Sequence, residues 1–217
     1  MITPFEFKSR LILTELLARR AATLPELTEG IRLVPLTSIY HHTHRFLQQH
    51  HFLSPEPPND FAYWTSNMLN DDIAGEKLAS IDIMQFGKLS DLRNRFLELL
   101  EDYLKSARQS VSARCPEGEE FHFMSSRIFV VPTGKIAHDL AEFQKWLKEV
   151  SIHSIYFHMF EAKLRLGKED NDFSTWLRAA GKTEEAEQIS KLDPYTFTLE
   201  GLRDRLLEIV SDETNRE

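Results

Sequence analysis

The sequence lacks the features that mark secreted, membrane-spanning and disulfide-stabilised proteins. Cys115 is the one cysteine among 217 residues, so the chain can form no internal disulfide. No apolar run approaches the roughly 20 residues that span a bilayer, and the N-terminus has neither the basic start nor the apolar stretch of a signal peptide. These absences predict a protein of the reducing cytoplasm.

An excess of basic residues is also lacking. The chain holds 26 Lys and Arg against 34 Asp and Glu, a formal net charge of −8, and neither half is basic overall. Because nucleic acids and anionic membrane surfaces attract positive charge, we expect neither as a partner. The partner classes that remain are an unknown small molecule, another protein, or a second copy of the chain in a homo-oligomer.

Glycine is scarce, at 8 residues, which disfavours an all-β fold with many tight turns. The residues that are abundant, Leu, Glu, Arg, Lys and Ala, favour helices. Composition therefore predicts a mainly α-helical protein, and the length allows one large domain or two small ones.

The chain contains an internal repeat in which even rare residue types recur in order. At an offset of 116, residues 5 to 46 align without a gap, and the identical pairs include Phe5 and Phe121, Ser38-Ile39-Tyr40 and Ser154-Ile155-Tyr156, and His42 and His158. At offsets of 112 to 110 the matches continue with Asn59-Asp60-Phe61 and Asn171-Asp172-Phe173, Trp64 and Trp176, and Leu92-Arg93 and Leu202-Arg203. A helical pattern alone would not match His with His, so we predict a tandem duplication. Copy one spans residues 1–107, a linker 108–116, and copy two 117–217.

Each copy is predicted to begin with one short strand and to continue with roughly five helices. The strand is clearest from Phe121 to Val131. In copy one, Leu11 to Arg20 has a helical composition, and a strand at the start of the copy is expected only from its equivalence to copy two. Helix starts are marked by capping boxes at Thr23 and Asp139 and by N-cap residues Asn59 and Asn171. We expect the two strands to pair, the copies to pack as one globular unit about an approximate two-fold axis, and a cleft to form at their junction.

Five of the nine histidines lie between residues 41 and 51, which raises the question of a metal site. His41 and His44 are close enough along a helix to be weak candidate ligands. His44 and His51 are two turns apart, about 10.5 Å along the axis, which is too far for one ion. Because neither an H-E-x-x-H motif nor any zinc spacing is present, no metal is assigned and no cofactor is evident.

His42 and Asp60 recur in copy two as His158 and Asp172. A buried imidazole needs a partner for each ring nitrogen, so we predict a hydrogen bond from each histidine to the aspartate or to the neighbouring tyrosine, Tyr40 in copy one. Such a bond can hold the fold together, or it can orient a catalytic base. Its presence in both copies favours the structural interpretation, and the catalytic interpretation stays open.

Positions where the copies differ are better guides to a specific function. His41, His44 and Arg45 stand where copy two has Phe157, Phe160 and Glu161. Copy one also has a longer, proline-rich loop, Ser54-Pro55-Glu56-Pro57-Pro58, which could form the rim of a pocket. The alternative interpretation is a solvated helix face followed by a tight turn. The candidate catalytic residues are His42, His44, Tyr40 and Asp60, and the candidate ligand-binding residues are Arg45, His41 and Asn59.

Two function classes remain. The sequence contains no phosphate-binding glycine loop and no nucleophile motif, which favours a non-catalytic small-molecule- or protein-binding or regulatory protein. The alternative is an enzyme with a single asymmetric His/Tyr/Asp site in copy one, at the interface of the repeats. The sequence leaves open whether the chain is an enzyme.

Four runs of sequence resemble an uncharacterised prokaryotic two-repeat family. They are Ser38-Ile39-Tyr40 followed by residues 42–50, residues 53–64, Glu119-Glu120-Phe121-His122-Phe123, and residues 193–202. The family is catalogued only as a domain of unknown function, and the resemblance covers nearly the whole chain. It implies that residues 1–217 form one complete protein, and it implies no activity.

Overall fold

Two long strands open the two halves of the chain. The computed structural model describes residues 3–45, 58–106, 113–162, 170–192 and 196–211. Strands β1 (Phe5–Ala21) and β2 (Phe121–Ala137) each have 17 residues, and they pair as a two-stranded antiparallel sheet. Both strands are longer than the short strands predicted. Pairing with β2 overrides the helical composition of Leu11 to Arg20, since intrinsic propensity is weak against tertiary context.

The rest of the described chain is mainly helical, as predicted. Strand β1 is followed by α1 (Leu24–Leu33), α2 (Leu36–Tyr40), α3 (Asp60–Asn67), α4 (Asp72–Ala79) and α5 (Leu89–Ser106). Strand β2 is followed by α6 (Leu140–Glu149), α7 (Ile152–Tyr156), α8 (Asp172–Ala179), α9 (Thr183–Ser190) and α10 (Leu199–Ser211). Helices α2 and α7 each continue into a π-helical turn, His41–Arg45 and Phe157–Glu161, and a short 3₁₀ turn spans Ile83–Gln85.

Side-chain caps fix where the helices begin. At α1, the Thr23 hydroxyl accepts a hydrogen bond from the Glu26 amide at 3.3 Å, and the Glu26 carboxylate accepts one from the Ala22 amide at 2.7 Å. Asp139 and Glu142 make the same two contacts at α6. These capping boxes satisfy amides that the first helical turn leaves without a partner, so the sequence signal is a physical one.

The chain divides into two compact units. Each unit contains the helices of one half of the chain together with the first residues of the strand that opens the other half. The N-terminal helical unit comprises the described residues between 12 and 127, with α1–α5 and the first residues of β2. The C-terminal helical unit comprises residues 3–11 and the described residues from 128 to 211, with α6–α10 and the first residues of β1. Each helical set is therefore completed by a strand segment distant in sequence.

The core of the N-terminal helical unit is built on phenylalanines from β2. The ring of Phe121 lies 5.4 Å from Phe61 and 5.7 Å from Trp64, and Phe123 is fully buried. The Trp64 indole N–H donates to the Glu119 carbonyl at 2.7 Å, which ties α3 to the residues before β2. Burial of these aromatic rings supplies much of the stabilisation of the unit.

The C-terminal helical unit has a core of the same kind, supplied by β1. The ring of Phe5 lies 5.4 Å from Phe143 and 5.8 Å from Trp176, and the Trp176 indole N–H donates to the Thr3 carbonyl at 2.9 Å. Across the described residues of both units, none of the helices is long and apolar enough to span a membrane.

Candidate functional site

A π-helical turn presents the histidines of the N-terminal helical unit. A π turn accommodates an extra residue, so side chains point in directions that an α-helix would not give them. The rings of the consecutive residues His41 and His42 lie on this turn with their centroids 4.9 Å apart. The C-terminal helical unit has a π turn at the same place, Phe157–Glu161, so this backbone geometry accompanies the fold in both units.

His42 is buried, and both of its ring nitrogens are engaged. Its Nε2 accepts a hydrogen bond from the Met124 amide of β2 at 2.9 Å. Because Nε2 is the acceptor, the proton of the neutral ring lies on Nδ1, and Nδ1–H donates to the Asp60 carboxylate at 2.7 Å. The ring therefore links α3, the π turn and β2, and neither nitrogen is available to a substrate unless one of these bonds breaks.

His158 makes the same two contacts in the C-terminal helical unit. Its Nε2 accepts from the Lys8 amide of β1 at 2.8 Å, and its Nδ1 lies 2.7 Å from the Asp172 carboxylate. The predicted His–Asp hydrogen bond is thus present in each half, and the partner of the Nδ1 proton is the aspartate rather than the tyrosine.

Around His42, the N-terminal helical unit has a set of polar side chains that are largely buried. His41 Nδ1 lies 2.8 Å from the Ser126 hydroxyl of β2. The Thr43 hydroxyl donates to the Ile39 carbonyl at 2.6 Å, so its oxygen accepts the Nδ1–H of His44, at 3.0 Å. His44 and Ser126 are each only 1% exposed.

Tyr40 and Arg45 lie at the edges of this set. The Tyr40 ring stacks on the His44 ring, with centroids 5.6 Å apart and planes inclined by 7°. Among the described residues, the side-chain partner of Arg45 is the Thr14 hydroxyl of β1, at 2.5 Å. We call His41, His44, Arg45 and Ser126 the polar cluster; it combines one permanent cation with imidazole and hydroxyl groups.

His41 is held in its neutral form. Burial, and then the charges of His42 and Arg45, lower the pKa of His41 from 6.5 to about 3. At neutral pH its ring can donate one hydrogen bond and accept another, and Arg45 remains the one permanent cation of the polar cluster.

The same positions in the C-terminal helical unit hold an internal ion pair and apolar rings. Arg10 of β1 and Glu161 of the π turn form a salt bridge in which both side chains are at least 95% buried. The Arg10 guanidinium also lies over the Tyr156 ring, 4.8 Å from its centroid. Phe157 and Phe160, which stand in place of His41 and His44, are buried in the core.

Asn59, one of the predicted ligand-binding residues, has its side chain engaged in the fold. Its carbonyl oxygen caps α3 by accepting from the Ala62 amide at 2.9 Å, and its amide donates to the Leu78 carbonyl at 3.1 Å. The structure does not bring it into the polar cluster. Of the proline-rich loop predicted as a pocket rim, residues 54–57 lie outside the described residues.

Within the described residues, His41, His42 and Asp60 have potential ligand atoms that all lie within 4.8 Å of one another. His44, the other candidate ligand proposed from the sequence, is not in this group. A metal ion bound here would compete with the hydrogen bond between His42 and Asp60, so the arrangement is better explained by that bond than by ligation.

Ser126 is the residue of the cluster that the sequence reasoning missed. It is separated from His41 by 85 residues, and only the pairing of β2 with the helices of the other half brings them together. A signal did exist, because Ser126 stands 116 residues after Arg10, the offset at which the two halves of the sequence align, and the halves differ there.

Comparison with known proteins places the chain in a family. The family described as "Family of unknown function (DUF5752)" matches residues 2–211, which confirms the resemblance identified from the sequence. Among solved structures, the chain is similar to OrfY from Thermoproteus tenax, with 31% sequence identity, a TM-score of 0.80, and coverage of 97% of this chain and 95% of that one. No curated protein matches the chain.

Proposed function

Because the chain belongs to the Family of unknown function (DUF5752), we propose a function for it from its side-chain contacts. The protein is a non-catalytic binding protein with one small-molecule site, formed by the polar cluster of the N-terminal helical unit. The observation that carries this proposal is the contrast between the units. The C-terminal helical unit fills these positions with the Arg10–Glu161 ion pair and two phenylalanines, whereas the N-terminal helical unit has polar groups there.

The energetics of burial support this assignment. Burying a polar side chain costs roughly 1–3 kcal/mol unless its hydrogen bonds are replaced. The C-terminal helical unit forms the same strand-and-helix arrangement with Phe157 and Phe160, so histidines are not required for this fold. The polar groups at these positions therefore serve something other than the fold, and a ligand that hydrogen-bonds to His41 would give them that role.

The geometry of His42 supports binding rather than catalysis. A general base needs a lone pair within reach of its substrate, and the lone pair of His42 accepts the Met124 amide. His158 has an equivalent arrangement beside Phe157 and Phe160, where no polar cluster accompanies it. We therefore assign the His–Asp pairs to the fold, and the enzyme hypothesis built on His42, Asp60, Tyr40 and His44 becomes the alternative.

We further propose that residues 1–107 and residues 117–217 are the two copies produced by a tandem duplication. Support comes from the 10-residue helices α1 and α6, the 8-residue helices α3 and α8, and the matching π turns. The approximate two-fold axis and the packing of the copies as one globular unit stay predictions. A cytoplasmic location and the absence of nucleic acid as a partner are supported by the single cysteine and the net charge of −8.

Native mass spectrometry of the untagged protein tests the binding proposal. We expect a small molecule to remain bound to the wild type and to be lost from the double variant His41→Phe/His44→Phe, which has the phenylalanines of the other unit. The matched control is Phe160→Leu, which changes the equivalent position in the C-terminal helical unit and should retain the molecule. A bound mass retained equally in all three proteins would contradict the proposed site, and the absence of any bound mass from the wild type would contradict the function.

A further inference from the structure

We propose that the ligand of the polar cluster carries a carboxylate group and that Arg45 binds this group. The inference rests on the proposed binding function and adds the chemical class of the ligand. It follows from comparing the charges that each unit places around its buried histidine.

The two sets of positions correspond through a shared hydrogen bond. In the C-terminal helical unit, Arg10 lies two residues after Lys8, whose amide donates to His158, and Glu161 lies three residues after His158. In the N-terminal helical unit, the residue two after Met124, whose amide donates to His42, is Ser126, and the residue three after His42 is Arg45. Contacts, and not the alignment alone, therefore identify Ser126 with Arg10 and Arg45 with Glu161.

The comparison shows a charge that the described residues of the C-terminal helical unit supply and those of the N-terminal helical unit do not. The C-terminal helical unit places a guanidinium on the strand and a carboxylate on the π turn, and the two neutralise each other. The N-terminal helical unit places a guanidinium on the π turn and a hydroxyl on the strand. Among its described carboxylates, Asp60 is bonded to His42, and Glu15 lies 3.5 Å from Arg127.

The chemistry of the cluster favours a carboxylate over a phosphate. The planar guanidinium of arginine binds a carboxylate through two parallel hydrogen bonds. Since His41 is neutral at physiological pH, the polar cluster contributes one positive charge, which matches a carboxylate and leaves half of a phosphate dianion unbalanced. The Ser126 hydroxyl and the histidine rings add neutral hydrogen-bonding groups beside this charge.

Nuclear magnetic resonance of the full-length protein can test this assignment with acetate as the probe. The resonances to follow are the Arg45 Nε–Hε group and the His41 Cε1–H group, titrated at constant ionic strength. We expect both to shift saturably with acetate and not with acetamide, which has nearly the same shape and no charge. The exposed Arg95, which pairs with Glu98, is the internal control and should bind acetate at least about tenfold more weakly. A non-saturating shift of Arg45 equal to that of Arg95 would overturn the proposal.

A variant that supplies both charges from the protein gives a second test. In Arg45→Glu/Ser126→Arg, the N-terminal helical unit acquires the ion pair of the other unit, so acetate should no longer shift His41. If circular dichroism shows that this variant does not fold, Arg45→Gln carries the same expectation. Acetate binding that is retained in a folded variant would contradict the role of Arg45. If inorganic phosphate saturates the Arg45 resonance at a lower concentration than acetate does, the proposal that the ligand is a carboxylate is contradicted. If mass spectrometry detects a copurifying molecule but acetate does not bind at Arg45, only the carboxylate inference is rejected. If the wild type carries no bound molecule, the proposed function is rejected.

Discussion

Replacing His41 with phenylalanine, the residue at the corresponding position of the other unit, should remove a pH-dependent part of the protein's stability. Burial, followed by the charges of His42 and Arg45, lowers the pKa of His41 from 6.5 to about 3 in the folded protein. The unfolded chain therefore binds a proton at a higher pH than the folded chain. Stability due to the neutral ring is fully present above pH 6.5 and is lost progressively as the pH falls towards 3.

The size of the effect follows from linkage. Between pH 7.5 and 5.5, a group with an unfolded pKa of 6.5 and a folded pKa far below 5.5 reduces the free energy of unfolding by about 1.4 kcal/mol. Solvent reaches part of the His41 ring, which weakens the electrostatic contribution, so we expect about 1 kcal/mol.

Urea unfolding of the wild type and of His41→Phe at these two pH values measures the pH-dependent contribution of His41 to the free energy of unfolding. The hydrogen bond to Ser126 is lost in the variant at both pH values, so its contribution cancels when the pH-induced changes are compared. We expect the wild type to lose about 1 kcal/mol more than the variant on acidification. Replacing the exposed His122 with asparagine is the control and should leave the wild-type pH dependence intact. Equal losses in the wild type and His41→Phe would refute the account of His41.

Four further substitutions and one double change test the remaining contacts by chemical denaturation. Asp60→Ala and Asp172→Ala should each lower the free energy of unfolding by about 1–3 kcal/mol, because each leaves a buried imidazole N–H without its acceptor. The loss should be larger at Asp172, whose side chain is 17% exposed, than at Asp60, whose side chain is 31% exposed. No loss at either position would contradict a structural role for the His–Asp pairs. Arg10→Ala should cost about 3–5 kcal/mol, because it removes the guanidinium that buried Glu161 faces, and a double change of Arg10 to Met and Glu161 to Leu should restore much of the loss. Arg95→Gln, at an exposed ion pair, should change stability by less than about 1 kcal/mol, and a larger loss there would show that exposed pairs matter more than this account allows.

Helix positions could be predicted from the sequence because local chemistry determines them. Thr23 with Glu26 forms a capping box, and Asn59 and Asn171 cap α3 and α8 through their side-chain oxygens. Each of these signals is complete within a few neighbouring residues. The mainly helical fold followed from such signals.

The long strands and their place in the units could not be predicted in the same way. Leu11 to Arg20 has a helical composition, and it is extended because it pairs with β2, a partner more than a hundred residues away in sequence. Each set of helices packs against phenylalanines of the strand that opens the other half of the chain, and this arrangement depends on tertiary contacts that no short window of sequence contains.

The candidate site was predictable to the extent that the repeat exposed it. His42 and Asp60 were identified because His158 and Asp172 recur in step with them, and His41, His44 and Arg45 because their counterparts differ. The π turn leaves no pattern in the sequence. Ser126 belongs to the site because β2 lies beside the π turn, and this tertiary contact is not encoded in any local sequence pattern.

We propose that the N-terminal helical unit binds a small molecule where the C-terminal helical unit forms its own ion pair. The most direct test is a crystal structure of the protein purified without refolding or added ligand. We predict electron density for a small molecule within hydrogen-bond distance of the Arg45 guanidinium and in contact with His41. A carboxylate of the chain itself bound to Arg45 in that position would contradict the claim.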